Sequence, residues 1–316
     1  MEIKLYTDIV FKWIFGRQEH TGPLISFLNA ATGIPGKFSE VRILNPFDAS
    51  EPFKNEKQGI LDIRGHDTSS DEWVDLEVQV VLDEFYPQRS KFYLAGMYRD
   101  QLPKNSHVNY HKLKPCYGIH ILVDTLFEGK DDAAFWYNHF AMLNTRSHKP
   151  LADHWHLYYI ELKKFLACFH KRGASWPETE LEEWSYFLGT VQDNTKPLDS
   201  KLSHNPAIQE VYEMLESFTK EDHLRERYRV QEEFLRAQRT QKEISKEMKK
   251  NYLFVVNAHK KEKAEKEAAL KAKESALKAQ ADLKKRSIAF MKKQGISPEE
   301  IADILRMSLQ DVMAFL

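Results

Sequence analysis

The chain has 316 residues, 42% of them hydrophobic and 12% aromatic, enough for one or two domains with real cores. Its net charge of −1 hides a split: residues 221–293 carry about 21 Lys and Arg against about 12 Asp and Glu, about +9, leaving about −10 elsewhere. A neutral total therefore does not exclude a polyanionic partner, whereas two cysteines, Cys116 and Cys168, with no CxxC pair, exclude a disulfide framework and a zinc ribbon.

A reducing compartment fits that cysteine usage. The opening Met1-Glu2-Ile3-Lys4-Leu5-Tyr6-Thr7-Asp8 lacks the layout of a secretory signal, and no apolar run approaches the ~18 residues of a spanning helix. The expectation is a soluble, cytoplasmic protein with no membrane partner.

Residues 7–31 are predicted helical, with Phe11 and Phe15 four apart and Leu24, Phe27 and Leu28 on a second stripe beyond a break at Gly22-Pro23. Val41 to Leu44 is a short strand. Gly59 to Gly65 and Trp73 to Val81 alternate with period two, and the turn signal Asp67-Thr68-Ser69-Ser70-Asp71 joins them into a hairpin. Val74, Leu76, Val78 and Val80 then share an apolar face, while Asp75, Glu77 and Gln79 point the other way. Asp62 can lie beside Glu77 there. Two converging carboxylates repel unless a divalent cation sits between them, and Mg²⁺ or Mn²⁺ prefers such oxygen ligands.

A helix from Gln88 to Leu102 follows, bounded by Pro87 and Pro103, and then a β-rich run from Cys116 to Val123. Phe135 to Leu143 and His154 to Leu162 are further strands that extend the sheet. From Lys163 to Pro206 the pattern is helical and interrupted. No glycine or proline occurs between Pro206 and Gly295, so this stretch is predicted as uninterrupted helix; its apolar positions hold no strict seven-residue register, which favours a long exposed helix over a coiled coil. Ser297-Pro298-Glu299-Glu300 is a capping box, and Ser308-Leu309-Gln310-Asp311 starts a last short helix. Ile288, Ile296, Ile301, Ile304, Leu305, Met307 and Val312 can bury one another in a small helix-turn-helix-like unit.

These signatures, in order over roughly residues 5–165, resemble the Rpn-type recombination-promoting nucleases and transposases of the PD-(D/E)XK superfamily. Asp8-Ile9-Val10-Phe11-Lys12-Trp13-Ile14-Phe15-Gly16 is similar to the family's opening D-x-x-F-K-x-x-F-G helix. Asp62 and then Glu77-Val78-Gln79 are similar to its acidic residue and E-x-Q. Pro87 to Leu102, Leu113 to Leu122 and Ile160 to Phe165 resemble its following helix, strand and late signature. The resemblance implies an α/β, restriction-endonuclease-like mixed sheet flanked by helices, followed here by the long helix and the small C-terminal unit. It also implies metal-dependent DNA cleavage linked to recombination or transposon-like DNA processing, in a bacterial setting. Asp62, Glu77 and the Val78 carbonyl would hold Mg²⁺ or Mn²⁺, and Gln79 would position the attacking water. Gln79 stands where most of the superfamily carries lysine, but this family commonly shows glutamine.

Plainer readings stand beside these. Spacing alone fits two solvated carboxylates on the wet face of a hairpin, and the ordered flanking signatures decide against that. Asp8 and Lys12 are either an exposed i,i+4 ion pair or part of the site, Asp8 as an outer-sphere or second-metal ligand and Lys12 as a phosphate contact or a support behind the metal ligands. Arg89 and Lys91 are placed to reach a DNA backbone. Asp67, Asp71 and Asp75 are turn and strand-face residues, with Asp75 near enough to Glu77 to assist. His154 with His156, and His107 with His111, lack a complementary ligand set and are expected as surface or capping histidines.

The expected organisation is a nuclease-like domain over residues 1–205, a long basic helical linker over 206–284 and a helical module over 285–316. The linker suits either a solvated strut or phosphate binding. The last helix has no arginine, which favours protein contact, and homo-oligomer assembly, over groove reading. The overall expectation is a Mg²⁺-dependent DNA endonuclease. Its alternatives are a catalytically inactive DNA-binding or regulatory protein of the same fold, and a strand-transferring transposase.

Overall fold

The computed structural model describes residues 3–47, 63–102, 109–129, 131–132, 134–173, 176–191 and 197–316. Among them are the expected elements, in the expected order. Helix α1, Asp8–Phe15, buries Ile9, Val10, Phe11, Trp13, Ile14 and Phe15. It stops at Gly16, where a Cβ would stand 2.6 Å from the Lys12 carbonyl oxygen. Helix α2, Gly22–Thr32, starts with proline in its first turn and ends at Gly33 in the left-handed region.

Strands β1 (Val41–Ile43), β2 (Ile63–Asp67) and β3 (Glu72–Gln79) form an antiparallel meander. Helix α3, Tyr86–Asp100, then carries the chain to β4, Cys116–Leu122, which pairs parallel to β3. Strand β6, Trp155–Glu161, lies parallel to β4, and β5, Tyr137–Ala141, runs antiparallel along its outer side. The sheet order is β1-β2-β3-β4-β6-β5, a mixed sheet with helices on it as the resemblance implies.

Alternation sorts the two sheet faces into two cores. Val74, Leu76, Val78, Tyr117, Ile119, Ile121, Tyr158 and Ile160 join the larger one, with α1, α2, helix α5 (Glu180–Thr190) and helix α6 (Pro206–Lys220). Cys116, Leu122, Leu157 and Tyr159 face the smaller one under α3, whose buried stripe is Tyr86, Ser90, Leu94 and Met97. Helix α4, Leu162–Arg172, follows β6 directly. Strand β3 ends at Gln79, so Val80 is half-buried beyond the strand rather than a fourth member of its apolar face.

The stretch after Pro206 is two helices, not one. The chain turns extended at Glu221 between α6 and helix α7, Asp222–Lys293. Propensity favours continuation there, but the break lets Phe218 at the end of α6 and Leu224 and Tyr228 at the start of α7 all bury in the larger core. Gln231 also enters, its Oε1 accepting the Ile9 N–H at 3.0 Å at the start of α1. The first compact unit accordingly runs through residue 240, and the second spans residues 241–316.

In the second unit most of α7 is exposed, including Met248, Leu270 and Leu277. Its core is Ile288 with Ile301 and Ala302 of helix α8 (Pro298–Leu305) and Val312 of helix α9 (Leu309–Phe315). The expected capping box at Ser297 and Glu300 is formed. Ile304, expected inside, is 57% exposed, whereas Leu305 beside it packs against this core. No helix of the described residues is long and apolar enough to cross a membrane.

Candidate active site

Register gathers the site. Strands β3, β4 and β6 run parallel and in step, so Glu77, His120 and Tyr159 make one row across the sheet. Asp75, Gly118 and Leu157 make the row before it, and Gln79, Leu122 and Glu161 the row after it. These positions share the face that α3 covers. Glu77 is therefore only 5% exposed, which rules out the wet-face reading of its alternation.

A buried carboxylate needs partners, and Glu77 has them. Its Oε2 accepts the Tyr86 hydroxyl at 3.0 Å, and the same hydroxyl lies 3.0 Å from His120 Nδ1. Since the hydroxyl proton goes to Glu77, Nδ1–H of His120 is the donor to the Tyr86 oxygen. His120 stacks on Tyr159 at 5.0 Å, and the Tyr159 hydroxyl meets Ser90 Oγ at 2.5 Å. His120 fits because Gly118 has no side chain: a Cβ there would stand 3.0 Å from His120 Nε2. Burial pushes the Glu77 carboxyl up, but His120, whose Nδ1 lies 3.7 Å from Oε2, the charge of Arg89 and the Tyr86 hydroxyl more than offset it and lower Glu77 from its ordinary value.

Asp75 shows the opposite balance. Burial and then the Glu77 charge raise its carboxyl well above the usual range, against the opposing charge of Arg64, its cross-strand neighbour on β2. Among the described residues its Oδ1 has no hydrogen-bond partner. Gln79 donates from Nε2 to the Val81 carbonyl at 2.8 Å and accepts on Oε1 from Arg89 Nη2 at 2.5 Å. Arg89 also reaches Asp83 at 3.3 Å and lies over the Tyr86 ring at 4.7 Å.

The structure thus brings Glu77, Val78, Gln79 and Arg89 together at one end of β3, with Asp75 behind them. Asp62, the expected partner of Glu77, lies outside the described residues. Asp8 and Lys12 form the i,i+4 ion pair at 3.1 Å, on a helix belonging to the larger core, whereas Glu77 and Gln79 face the smaller one. Lys91 is exposed on α3. His156, expected at the surface, is buried: it stacks on Tyr117 at 4.7 Å and contacts His139 at 3.1 Å. His154 meets the Tyr98 hydroxyl at 3.0 Å, His111 is exposed, and His107 lies outside the described residues.

Sequence reasoning missed Tyr86, His120, Ser90 and Tyr159. The available signals were a lone histidine within the apolar strand Cys116–Leu122 and a polar serine on the inner stripe of α3.

The chain matches the PD-(D/E)XK nuclease family transposase over residues 5–243. It belongs to this family. No curated protein and no solved structure matches it. The match carries the family's domain past β6 and through the start of α7, the same stretch that closes the first compact unit.

PD-(D/E)XK nucleases generally use divalent ions such as Mg²⁺ or Mn²⁺. Among the described residues no group of three or more His, Cys, Asp or Glu is arranged to hold a metal ion. The donors present nonetheless suit a hard cation. Asp75 and Glu77 repel each other on one strand face, and the partnerless Asp75 oxygen is the kind of orphan that such an ion relieves.

Proposed function

We propose that the chain is a Mg²⁺- or Mn²⁺-dependent DNA endonuclease acting in recombination or transposon-like DNA processing. The observation that carries this reading is the buried Glu77 carboxylate, held on the sheet by the Tyr86 hydroxyl with His120 beside it and two residues from Gln79. Asp62, Glu77 and the Val78 carbonyl are the groups that would hold the ion. When bound, the ion lowers the pKa of a water and neutralises charge on the phosphate.

Tyr86 and His120 fix the Glu77 rotamer, so no reorganisation is needed when substrate arrives. Gln79 keeps one amide N–H and one carbonyl lone pair beyond its contacts to Val81 and Arg89, and these orient the attacking water. α3 keeps bulk water off the Glu77 face. Lys91 is assigned as a DNA phosphate contact, while the Asp8–Lys12 ion pair, on a helix packed against the other face of the sheet, is left out of the site. A cavity of about 610 Å³ beside α3, lined by Arg64, Arg99, Phe92 and Tyr93 among others, offers cations and rings to a nucleic acid strand. In this reading the nuclease-like domain takes in α6 and the start of α7, through about residue 240 rather than 205, the basic linker is the rest of the long helix to residue 284, and 285–316 is a self-association module.

Supercoiled plasmid incubated with and without Mg²⁺ tests the reading. Nicked or linear product is expected only with metal and only with Asp62 and Glu77 intact. Cleavage that persists in Asp62→Ala removes the assignment. A second reading is a DNA-binding protein without catalysis; binding without cleavage in any divalent metal would establish it. The family description also admits a strand-transferring transposase, which would yield joined products.

A further inference from the structure

The positions of β3 on the α3-covered face near the site are Asp75, Glu77 and Gln79, two acids and a neutral amide. Phosphodiester attack builds negative charge on the phosphate, and a strand with this composition opposes it. The cations that approach this face come from neighbouring elements. Arg64 on β2 is opposite Asp75 and is engaged with its charge. Arg89 comes down from α3 to the Gln79 end.

We infer that Arg89, seated on Gln79, is the cation of the site: it binds the scissile phosphate and supplies the positive charge that β3 lacks. This rests on the nuclease reading above. Three contacts aim the guanidinium: Gln79 Oε1 at 2.5 Å, Asp83 Oδ2 at 3.3 Å and the Tyr86 ring at 4.7 Å. Yet those acceptors take only two of its five donors. Its Nε is buried and meets no acceptor among the described residues, while the side chain as a whole is 34% exposed. A residue serving only to clamp α3 to β3 gains nothing from an unmet buried donor, which is costly. A planar fork with spare donors is what bidentate phosphate binding uses. Gln79 becomes a positioning residue: its carbonyl holds the cation while its amide faces the water.

The test combines a charge swap with DNA binding in the absence of divalent metal. Arg89→Gln is expected to lower kcat by about 10²–10³-fold, the range seen when one oxyanion donor is lost. It should also lower the slope of log K against log salt by about one phosphate contact. Returning a cation to the strand, as Gln79→Lys in the Arg89→Gln background, should restore the slope and regain at least tenfold in kcat; a packing defect would not respond to this swap. An unchanged slope in Arg89→Gln, or a double variant as inactive as the single one, overturns the inference. Because binding is measured without metal, the two readings separate. Wild-type binding without cleavage in any metal defeats the nuclease reading, and the slope difference still decides the phosphate contact. No DNA binding at all defeats both.

Discussion

Asp67 closes β2 and is fully buried. Its Oδ2 accepts the backbone N–H of Ser39 at 2.8 Å and of Glu40 at 3.1 Å, tying the hairpin to the chain entering β1. Its Oδ1 accepts those of Ser69 at 3.0 Å and Ser70 at 2.9 Å, together with both serine hydroxyls. Asp67→Asn keeps size and shape but turns one oxygen into an NH₂ group. Whichever way the amide is turned, two backbone N–H groups then face a donor. Each unmet donor costs about 1–3 kcal/mol, and water at the half-exposed turn recovers part, so a loss of about 2–4 kcal/mol is expected. Burial raises the Asp67 carboxyl, but the Ser69 hydroxyl and the N–H groups of Ser39, Ser70 and Glu40 outweigh it and hold the group far below its ordinary 3.8. A depressed folded pKa contributes stability in full above the unfolded value, and that contribution is lost as pH falls through the folded value. The gap between wild type and Asp67→Asn should therefore be widest at neutral pH and shrink below about pH 4. Urea unfolding followed by tryptophan fluorescence reads it, because all 6 tryptophans lie within the first unit. A loss below about 0.5 kcal/mol at pH 7, smaller than a single unmet donor, or a gap unchanged in acid, would refute the reasoning.

Three further outcomes are expected. Tyr86→Phe removes only the hydroxyl that serves Glu77 and His120; a hydrogen bond to a charged group contributes about 1.5–3 kcal/mol, so plasmid cleavage should fall about tenfold or more. Unaltered cleavage would mean that Glu77 needs no orienting partner. Ile301→Ala should cost about 2–5 kcal/mol in a core of four buried side chains, enough for limited proteolysis to trim α8 and α9. The tryptophan-reported transition of the first unit is expected to stay put, and a shifted midpoint would refute this expectation. Deleting residues 285–316 should lower the mass measured by light scattering if this module self-associates, and an unchanged mass would retire that role.

Much of this protein is legible locally. Period-two alternation marks β2 and β3, and helical stripes mark α1 and α3. The Ser297–Glu300 capping box marks the start of α8. Glu77 and Gln79 stand out because they are polar at alternate positions of an apolar strand. What alternation leaves open is whether their face meets water or a helix. The burial of Glu77 follows from α3 folding back over β3 with Tyr86 aimed at the carboxylate. Similarly, residue propensity continues the helix through Glu221, while packing of Phe218 and Leu224 breaks it.

From sequence alone came the sheet-forming segments, the polar alternation that singles out Glu77 and Gln79 as candidates, the family resemblance and the basic character of the long helix, since each depends on spacing within one segment or on composition. Tertiary structure decided which side chains surround Glu77. His120 and Tyr159 reach it through the parallel register of β3, β4 and β6, and Arg89 reaches Gln79 through the docking of α3. Those neighbours come from separate segments, and a contact between distant segments depends on how the sheet and helices pack, which no local period encodes.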